Sequence, residues 1–312
     1  MARVLGFGAM TIDDLIYVDR PLAAGKAKVT ARVLAYGGNV ATALVAVARL
    51  GGEAGFIGWL GDGSLDDPGA AELEREGVDV ARAPRRGDAR STRSMITVAP
   101  DGERFIAYDD EVPHGTDAAL PDATLAAGRV LLVDGYATAS LGVVERARAL
   151  GLAVVADVEW TAGAATDRLM ALADHLVLPI GFGRSWTGEA SPTGVLERLW
   201  SEDRAAAVVT DGERGCYVRQ RGDGVLWHVP AHAVQAVDTT GAGDCFHGAY
   251  AFALTEGKAP LDAVRYATAA AAISVTGRGG RQALPGHAAC LAKLAEAVAP
   301  VPVARVEAME GR

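Results

Sequence analysis

The feature of this sequence that most limits its fold is the alternation of short apolar runs with helical patterns. The apolar runs occupy residues 3–8, 53–61, 129–135, 152–158, 175–180 and 205–212. Their almost unbroken content of Val, Ile, Leu and Ala is typical of strands that are covered on both faces. Helical candidates alternate with them at residues 39–50, 68–77, 141–150, 193–201, 244–256, 260–276 and 286–298. This order predicts an α/β fold with a mostly parallel central sheet and helices on both faces.

Four glycines support the predicted ends of these helices. They follow the helical patterns as Gly51, Gly77, Gly151 and Gly257. Helices commonly end on a left-handed residue, a backbone conformation that glycine adopts without steric cost.

Two segments interrupt the alternation. Residues 14–36 and 91–108 alternate apolar and polar positions around turn signals such as "APDGE" at 99–103, a pattern that predicts antiparallel hairpins. We therefore expect a small β-sheet lid made of 14–36 and 91–108. The rest of the chain, 1–13, 37–90 and 109–312, is then one α/β domain, with a tail at 299–312 that frays because it lacks periodicity.

Composition narrows the class of protein. The chain has 312 residues and a net charge of −9, which argues against nucleic acid as a partner because a phosphate backbone needs a broad basic face. Its three cysteines show no metal-binding spacing, as expected of reduced thiols in a cytoplasmic protein. No apolar run is long enough to span a membrane, and the N-terminus predicts a first strand instead of a signal peptide.

The stretch "DTTGAGDCFHGAYAFAL" (238–254) combines a glycine turn with the start of a helix. Residues 234–238 suggest a strand end, and Gly241 and Gly243 allow the backbone to approach a ligand closely. The first N–H groups of the following helix form a positive site that suits phosphate. Asp244 would repel that phosphate unless it has another task, such as accepting a proton from an attacking hydroxyl. The structural alternative is that Asp244 merely caps the helix.

Two further stretches suggest ligand contacts. In "YGGNVATALVAVARLGG" (36–52), a glycine pair precedes a helix that begins near Asn39. The glycine backbone and Asn39 could bind a polyhydroxylated substrate, because an amide both donates to and accepts from hydroxyls, or Asn39 could simply cap a core helix. In "VVTDGERGCYV" (208–218), a strand runs into a glycine turn. Loops after parallel strands often hold nucleotides, although this one could be only a β-turn.

Together these stretches resemble the ribokinase, or PfkB, family of carbohydrate kinases. The first signature of that family is matched by residues 37–63 and the second by residues 238–254, with a third match at 270–285. The resemblance covers nearly the whole chain in the right order. It implies a ribokinase-like α/β domain with a small β lid, and transfer of the ATP γ-phosphoryl group to a hydroxyl of a sugar or sugar derivative.

The resemblance also implies roles for individual residues. Asp244 is the catalytic base, and the anion hole is formed by Gly241, Ala242 and Gly243. The acceptor is bound by Asp13, Gly38 and Asn39. The nucleotide site is lined by Thr210 and Gly212. A monovalent cation, K⁺, is expected near Asp238, Thr240 and Gly279.

Magnesium is expected as a cofactor together with ATP, but its ligands are not evident. Family members commonly carry an Asn-x-x-Glu motif linked to Mg²⁺ and phosphate. The corresponding stretch here, "LPIGFGRSWTG" (178–188), contains neither Asn nor Glu. Glu159 is a candidate substitute.

Two other functions stay open at this point. A nucleoside kinase of the same fold would need aromatic groups to stack a base, for which Tyr36, Phe105 and Tyr108 are candidates. A catalytically silent sugar or nucleotide sensor is the second alternative. Exposed lid strands are often paired to hide their edges, so we also expect a homodimer.

Overall fold

A large sheet lies between two layers of helices. The computed structural model describes residues 3–65, 67–100 and 104–305. In this part of the chain the large sheet has ten strands in the order β16-β15-β14-β13-β12-β11-β10-β1-β4-β6. The strands from β13 to β6 in that order are parallel, whereas β14, β15 and β16 are antiparallel. The predicted fold class, a mostly parallel sheet with helices on both faces and a smaller sheet, is confirmed.

The strands of the large sheet are β1 (Arg3–Phe7), β4 (Glu53–Phe56), β6 (Val78–Asp79), β10 (Gly128–Asp134), β11 (Ala153–Asp157), β12 (His175–Pro179), β13 (Ala206–Thr210), β14 (Cys216–Gln220), β15 (Val225–Val229) and β16 (Val301–Arg305). The remaining strands are β2 (Thr11–Val18), β3 (Val29–Gly37), β5 (Leu60–Gly61), β7 (Arg85–Arg86), β8 (Thr92–Val98) and β9 (Arg104–Asp109). The α-helices are α1 (Asn39–Arg49), α2 (Gly69–Arg75), α3 (Asp122–Leu125), α4 (Leu141–Ala149), α5 (Ala164–Leu172), α6 (Ile180–Thr187), α7 (Pro192–Leu199), α8 (Ala242–Thr255), α9 (Pro260–Ser274) and α10 (His287–Ala295).

Successive residues of the central strands contribute their side chains alternately to two separate hydrophobic cores, one on each face of the large sheet. Val4 belongs to a core that includes residues of α1, α8 and α9 on one face, and its neighbour Leu5 belongs to a core that includes residues of α4 and α5 on the other. Side chains of a strand point alternately to its two faces. An apolar run without alternation is therefore what a strand buried on both faces requires.

A second, four-stranded sheet has the order β3-β2-β8-β9; we call it the small sheet. β2 pairs antiparallel with β3 and parallel with β8, and β8 pairs antiparallel with β9. Because β2 begins at Thr11, Asp13 belongs to this sheet. The division of the chain into a domain and a lid remains a prediction.

Several predicted elements differ from the structure. Residues 53–61 form two short strands, and 234–238 are not a strand, because the N–H groups of Val237 and Asp238 donate to the carbonyl of Val275 at 2.7 and 3.2 Å. The predicted fraying of the tail is wrong for Val301–Arg305, which pair with β15; the rest of that tail lies outside the described residues. Helices α5 and α6 were not predicted.

Helices α1 and α8 approach closely and bring two of the signature stretches together. A Cβ atom on Gly248 would lie 2.2 Å from the carbonyl oxygen of Ala43, so only glycine permits this contact. Asn39, the first residue of α1, donates to Asp157 at the end of β11, and His247 of α8 lies 3.6 Å from the same carboxylate. Both helices therefore begin at the edge of the large sheet where the parallel strands end.

No helix in the described part of the chain combines the length and the hydrophobicity that crossing a lipid bilayer demands.

Candidate active site

The N-terminus of α8 is open to a ligand. Its N-cap residue is Gly241, with φ 72°, and no side chain caps it. A Cβ atom on Gly241 would lie 2.6 Å from the carbonyl oxygen of Gly280, so the turn packs against the loop after α9. The first N–H groups of a helix have no partner within the helix. The exposed Gly243 thus presents a backbone donor, whereas the N–H of Ala242 donates to the carbonyl of Thr239 at 3.2 Å.

Asp244 lies in the first turn of α8 and does not act as the helix cap. Its carboxyl group has a pKa raised to about 8, mainly by burial and further by the negative charges of Asp157 and Glu159. The cations His247 and Arg281 act in the opposite direction. In the ligand-free protein the balance of these charges decides whether Asp244 is available as a base at neutral pH.

Two buried aspartates at the ends of neighbouring strands were not predicted as site residues. Asp134 ends β10 and Asp157 ends β11, and the two are paired in register. Asp134 accepts hydrogen bonds from the N–H groups of Ala9, at 2.6 Å, and Tyr136, at 3.0 Å. Burial raises the pKa of Asp134 to about 7. The available signal was an acidic residue directly after an apolar run, at the sheet edge where ligands bind in α/β folds.

Gly38 and Asn39 lie beside these aspartates. Gly38 has φ 89°, and a Cβ atom there would lie 2.5 Å from the carbonyl oxygen of Ala9. Asn39 begins α1 and donates from Nδ2 to Oδ2 of Asp157 at 3.0 Å. Glu159 also hydrogen-bonds with Asn39, and its pKa is raised by burial and by Asp157. Asn39, which is predicted to bind the sugar, is thus hydrogen-bonded to two carboxyl groups near the end of β11, those of Asp157 and Glu159.

Asp13 faces the site from the small sheet. Its pKa is raised by burial, while hydrogen bonds with Ser94 and Thr11 and the charge of Arg281 act against this rise. The same arginine lowers the pKa of Asp244. Asp13 and Asp244 are far apart in sequence, but the positive charge of Arg281 favours the ionised form of both carboxyl groups.

The sequence alone did not indicate a role for this arginine, Arg281. It is 6% exposed, donates from Nη2 to the carbonyl of Gly37 at 2.7 Å and from Nε to Oγ1 of Thr42 at 3.1 Å. Burial lowers its pKa to about 10, which leaves it charged at neutral pH. It holds a fixed positive charge next to the glycine pair that precedes α1.

Thr210 and Gly212 lie at the same edge of the large sheet as the acidic group. Thr210 ends β13, which is separated from β11 only by β12. Gly212, with φ 56°, begins a single 3₁₀ turn, and Asp211 between them is buried and ion-paired with Arg214 at 2.7 Å. The turn after β13 is therefore a rigid loop at the position predicted for the nucleotide.

The three residues predicted for the monovalent cation lie together. Asp238 accepts from the N–H of Thr240 at 2.9 Å and from the N–H of Gly279 at 2.8 Å. The carboxylate thereby joins the loop before α8 to the loop after α9.

The described residues contain no group of three or more His, Cys, Asp or Glu side chains placed to hold a metal ion. Residues 178–188 form the end of β12, helix α6 and the glycine that ends it. The next carboxylate, Glu189, lies 4.0 Å from Arg198. The described side chains therefore do not form a complete metal-binding site. Mg²⁺ is often bound mainly by nucleotide phosphates and water molecules, with few protein ligands.

The three aromatic candidates for stacking a base do not share a face of the small sheet. In register, Tyr36 pairs with Ile12, and Tyr108 pairs with Ser94, which is opposite Asp13. Tyr108 is therefore on the Asp13 face, whereas Tyr36 and Phe105 are on the other face. No three-ring stacking site is assembled from these residues.

Comparisons with known proteins cover nearly the whole chain. The model of the pfkB family carbohydrate kinases matches residues 1–286. Fructokinase-1 of rice (Oryza sativa subsp. japonica) is 31% identical over 315 residues, which cover 90% of this chain and 94% of that protein. The ribokinase of Haemophilus influenzae is 29% identical over 264 residues, which cover 81% and 85%. The crystal structure of the ribokinase of Thermotoga maritima superposes with a TM-score of 0.78 at 26% identity, covering 95% of this chain and 99% of that one.

Proposed function

Since the chain belongs to the pfkB family of carbohydrate kinases, we propose that Asp244 is the base with which it phosphorylates its sugar substrate. The activity is transfer of a phosphoryl group from ATP to a hydroxyl of a sugar or sugar derivative. The observation that carries the assignment is the place of Asp244 in the first turn of an uncapped helix, among acidic and basic groups that adjust its charge.

The acceptor hydroxyl lies between Asp244 and the residues Asp13, Gly38 and Asn39. Asp244 takes the proton of this hydroxyl, its oxygen forms the bond to the γ-phosphorus, and the bond to the β-phosphate oxygen breaks, releasing ADP. The N–H groups of Gly241 and Gly243 stabilise the negative charge on the transferred group, and that of Ala242 is shared between this group and the carbonyl of Thr239. Asn39 is oriented for its part by its hydrogen bond to Asp157.

The nucleotide binds at the carboxyl ends of the strands, with Thr210 and Gly212 along its path. Mg²⁺ accompanies the phosphates and neutralises part of their charge. K⁺ would be held near Asp238, Thr240 and Gly279, where its charge would stabilise the loop that leads into the anion hole. Closure of the small sheet over the sugar excludes water, which otherwise competes as the acceptor.

The cellular setting follows from the substrates. ATP and small sugars are metabolites of the cytoplasm, where three reduced cysteines would persist; Cys216, Cys245 and Cys290 are all free and buried. The exposed apolar side chains of the small sheet pair with a second copy of the chain, giving a homodimer.

A panel of acceptors assayed for ATP-dependent ADP release tests this function. Fructose and ribose come first, because the relatives are named fructokinases and ribokinases, followed by other ketoses, aldoses and nucleosides. Release with one sugar supports the proposal, and release with nucleosides alone would make the chain a nucleoside kinase. If every acceptor fails while a sugar or nucleotide still raises the unfolding temperature, the chain is a sensor.

A further inference from the structure

Both ring nitrogens of the buried residue His247 face carbonyl oxygens. His247 is 4% exposed and lies one turn after Gly243 on α8. Its Nδ1 is 2.8 Å from the carbonyl oxygen of Gly243, and its Nε2 is 3.2 Å from the carbonyl oxygen of Val177 at β12. A carbonyl oxygen can only accept, and a neutral imidazole has a single N–H. Only the doubly protonated imidazolium satisfies both contacts.

A counter-charge for this cation is present at the end of β11. Oδ2 of Asp157 lies 3.6 Å from Nδ1 of His247, and it also accepts from Asn39. Asp157 is 3% exposed, and its Oδ1 has no hydrogen-bond partner among the described residues. A buried carboxylate is costly without a cation nearby. The protonated ring and the ionised carboxylate therefore stabilise each other.

The other charged groups around His247 come from several elements. Asp244 precedes it by three residues on α8 and shares its side of the helix. Glu159 follows β11, and Arg281 comes from the loop after α9. The negative charge of Glu159 raises the pKa of Asp244, and the positive charge of Arg281 lowers it. Burial alone lowers the pKa of His247, but Asp157, the two carbonyl groups and Asp244 together raise the pKa above its ordinary value.

We propose that His247 is a protonated positioning residue, whose charge favours the ionised form of Asp244 and holds Asp157 against Asn39. The proposal rests on the proposed function, because it concerns the availability of Asp244 as a base. His247 does not contact the reacting atoms in this scheme; it acts through the carboxyl groups beside it. Removing its charge disfavours the ionised form of Asp244, so a higher pH is needed for activity.

The charge of His247 can be measured without any substrate. In protein labelled with ¹⁵N at histidine, the signals of its two ring nitrogens, assigned by their loss in His247→Gln, are expected to show both nitrogens protonated from pH 6 to 8. His175 is the reference for a neutral buried ring, because burial lowers its pKa to about 4. A neutral His247 ring at pH 7 overturns the proposal, whether or not a sugar substrate has been found.

Kinetics then test the effect on Asp244. His247→Gln is expected to move the acidic limb of the kcat/KM profile upward by about one pH unit or more, so activity drops about tenfold at pH 7 and recovers in more alkaline solution. The matched control is His175→Gln, a buried histidine that contacts the same helix through Tyr250 at 2.8 Å; it should leave the limb in place. An unmoved limb in His247→Gln contradicts the positioning role. A wild-type protein without kinase activity contradicts the proposed function instead, and the NMR result still decides the charge.

Discussion

At the scale of single residues, Asp244 is subject to two opposing requirements. Its place at the start of α8 suits a base that acts beside a phosphate, but burial and the negative charges of Asp157 and Glu159 raise its pKa to about 8. A carboxylate with a raised pKa is a stronger base once it has lost its proton. The positive charges of His247 and Arg281 lower the pKa of Asp244, so in the proposed mechanism these three residues act together.

Asp244→Asn should lower kcat at least about a hundredfold, because the amide cannot accept the proton of the attacking hydroxyl. Sugar affinity should be largely kept, since Asn has the same shape. Turnover is measured by ADP release and affinity by calorimetry. Asp262→Asn is the matched control, as Asp262 is an exposed acid in the first turn of α9. Near-normal turnover of Asp244→Asn would remove this residue from its assigned role.

Asp244→Asn should also change how stability depends on pH. The folded protein holds the proton of Asp244 up to about pH 8, whereas the unfolded chain releases it near the ordinary value of 3.8. This group's contribution to stability is therefore complete below pH 3.8 and is lost as the pH rises to 8. The unfolding temperature of Asp244→Asn relative to the wild type should rise between pH 4 and pH 8 and then level off. A difference that is constant across this range would mean that Asp244 titrates normally.

At the scale of secondary-structure elements, the position of α8 depends on its contact with α1. A Cβ atom at Gly248 would lie 2.2 Å from the carbonyl oxygen of Ala43 and 2.9 Å from Cβ of Ala46. Gly248→Ala should therefore lower the free energy of unfolding by about 1–3 kcal/mol, as for other overpacked sites. Urea unfolding measures the effect.

Gly142→Ala is the control for that substitution. Gly142 is also helical, in α4, but a Cβ atom there meets nothing within 4 Å. It should stabilise the protein by up to about 1 kcal/mol, because Ala favours a helix over Gly. Equal effects of the two substitutions would show that the close approach of α1 and α8 does not limit the fold.

The loop joined by Asp238 gives a prediction about ions. If K⁺ binds beside Asp238 and Gly279, it stabilises the turn that carries Gly241. Replacing K⁺ by tetramethylammonium at equal ionic strength should lower kcat, with only a small decrease in the unfolding temperature, because a single weakly bound ion contributes little to overall stability. Activity that is indifferent to this exchange would remove the cation from the scheme.

The parallel core could be predicted from the sequence because its signals are local. Continuous apolar runs identify strands that are buried on both faces, and Gly51, Gly77, Gly151 and Gly257 all have positive φ at helix ends, as expected. The three antiparallel strands β14, β15 and β16, at one end of the large sheet, lack such runs, since they are covered less completely. Residues 234–238 appear extended in sequence, but their N–H groups bond to Val275 after α9, a partner that local patterns do not reveal.

Only part of the candidate site could be predicted, because a sequence pattern reveals local motifs but not contacts between distant residues. The glycine turns and Asp244 lie within short motifs, whereas the charges that adjust Asp244 come from residues scattered along the chain. His247 meets Val177, 70 residues away, and Arg281 meets Thr42, 239 residues away. Such contacts exist only after α1, α8 and the loop after α9 have packed together.

At the scale of the whole molecule, the small sheet is the surface most in need of a partner. Leu34, Met95 and Phe105 are 51, 60 and 63% exposed, and the strand register places all three on the face opposite Asp13. Exposed apolar side chains on one face of a sheet are costly in water and are commonly covered by another chain. β3 and β9 are also edge strands with unpaired backbone groups.

Met95→Glu should therefore convert a dimer into monomers, because it places a carboxylate directly opposite Asp14 and among the apolar side chains of this face. Val298→Glu is the matched control, since Val298 is 63% exposed but lies outside the small sheet. Sedimentation velocity at micromolar concentration should give a dimer for the wild type and for Val298→Glu, and a monomer for Met95→Glu. A monomeric wild type would mean that the small sheet works without a second copy. A dimeric Met95→Glu would place the interface on another surface.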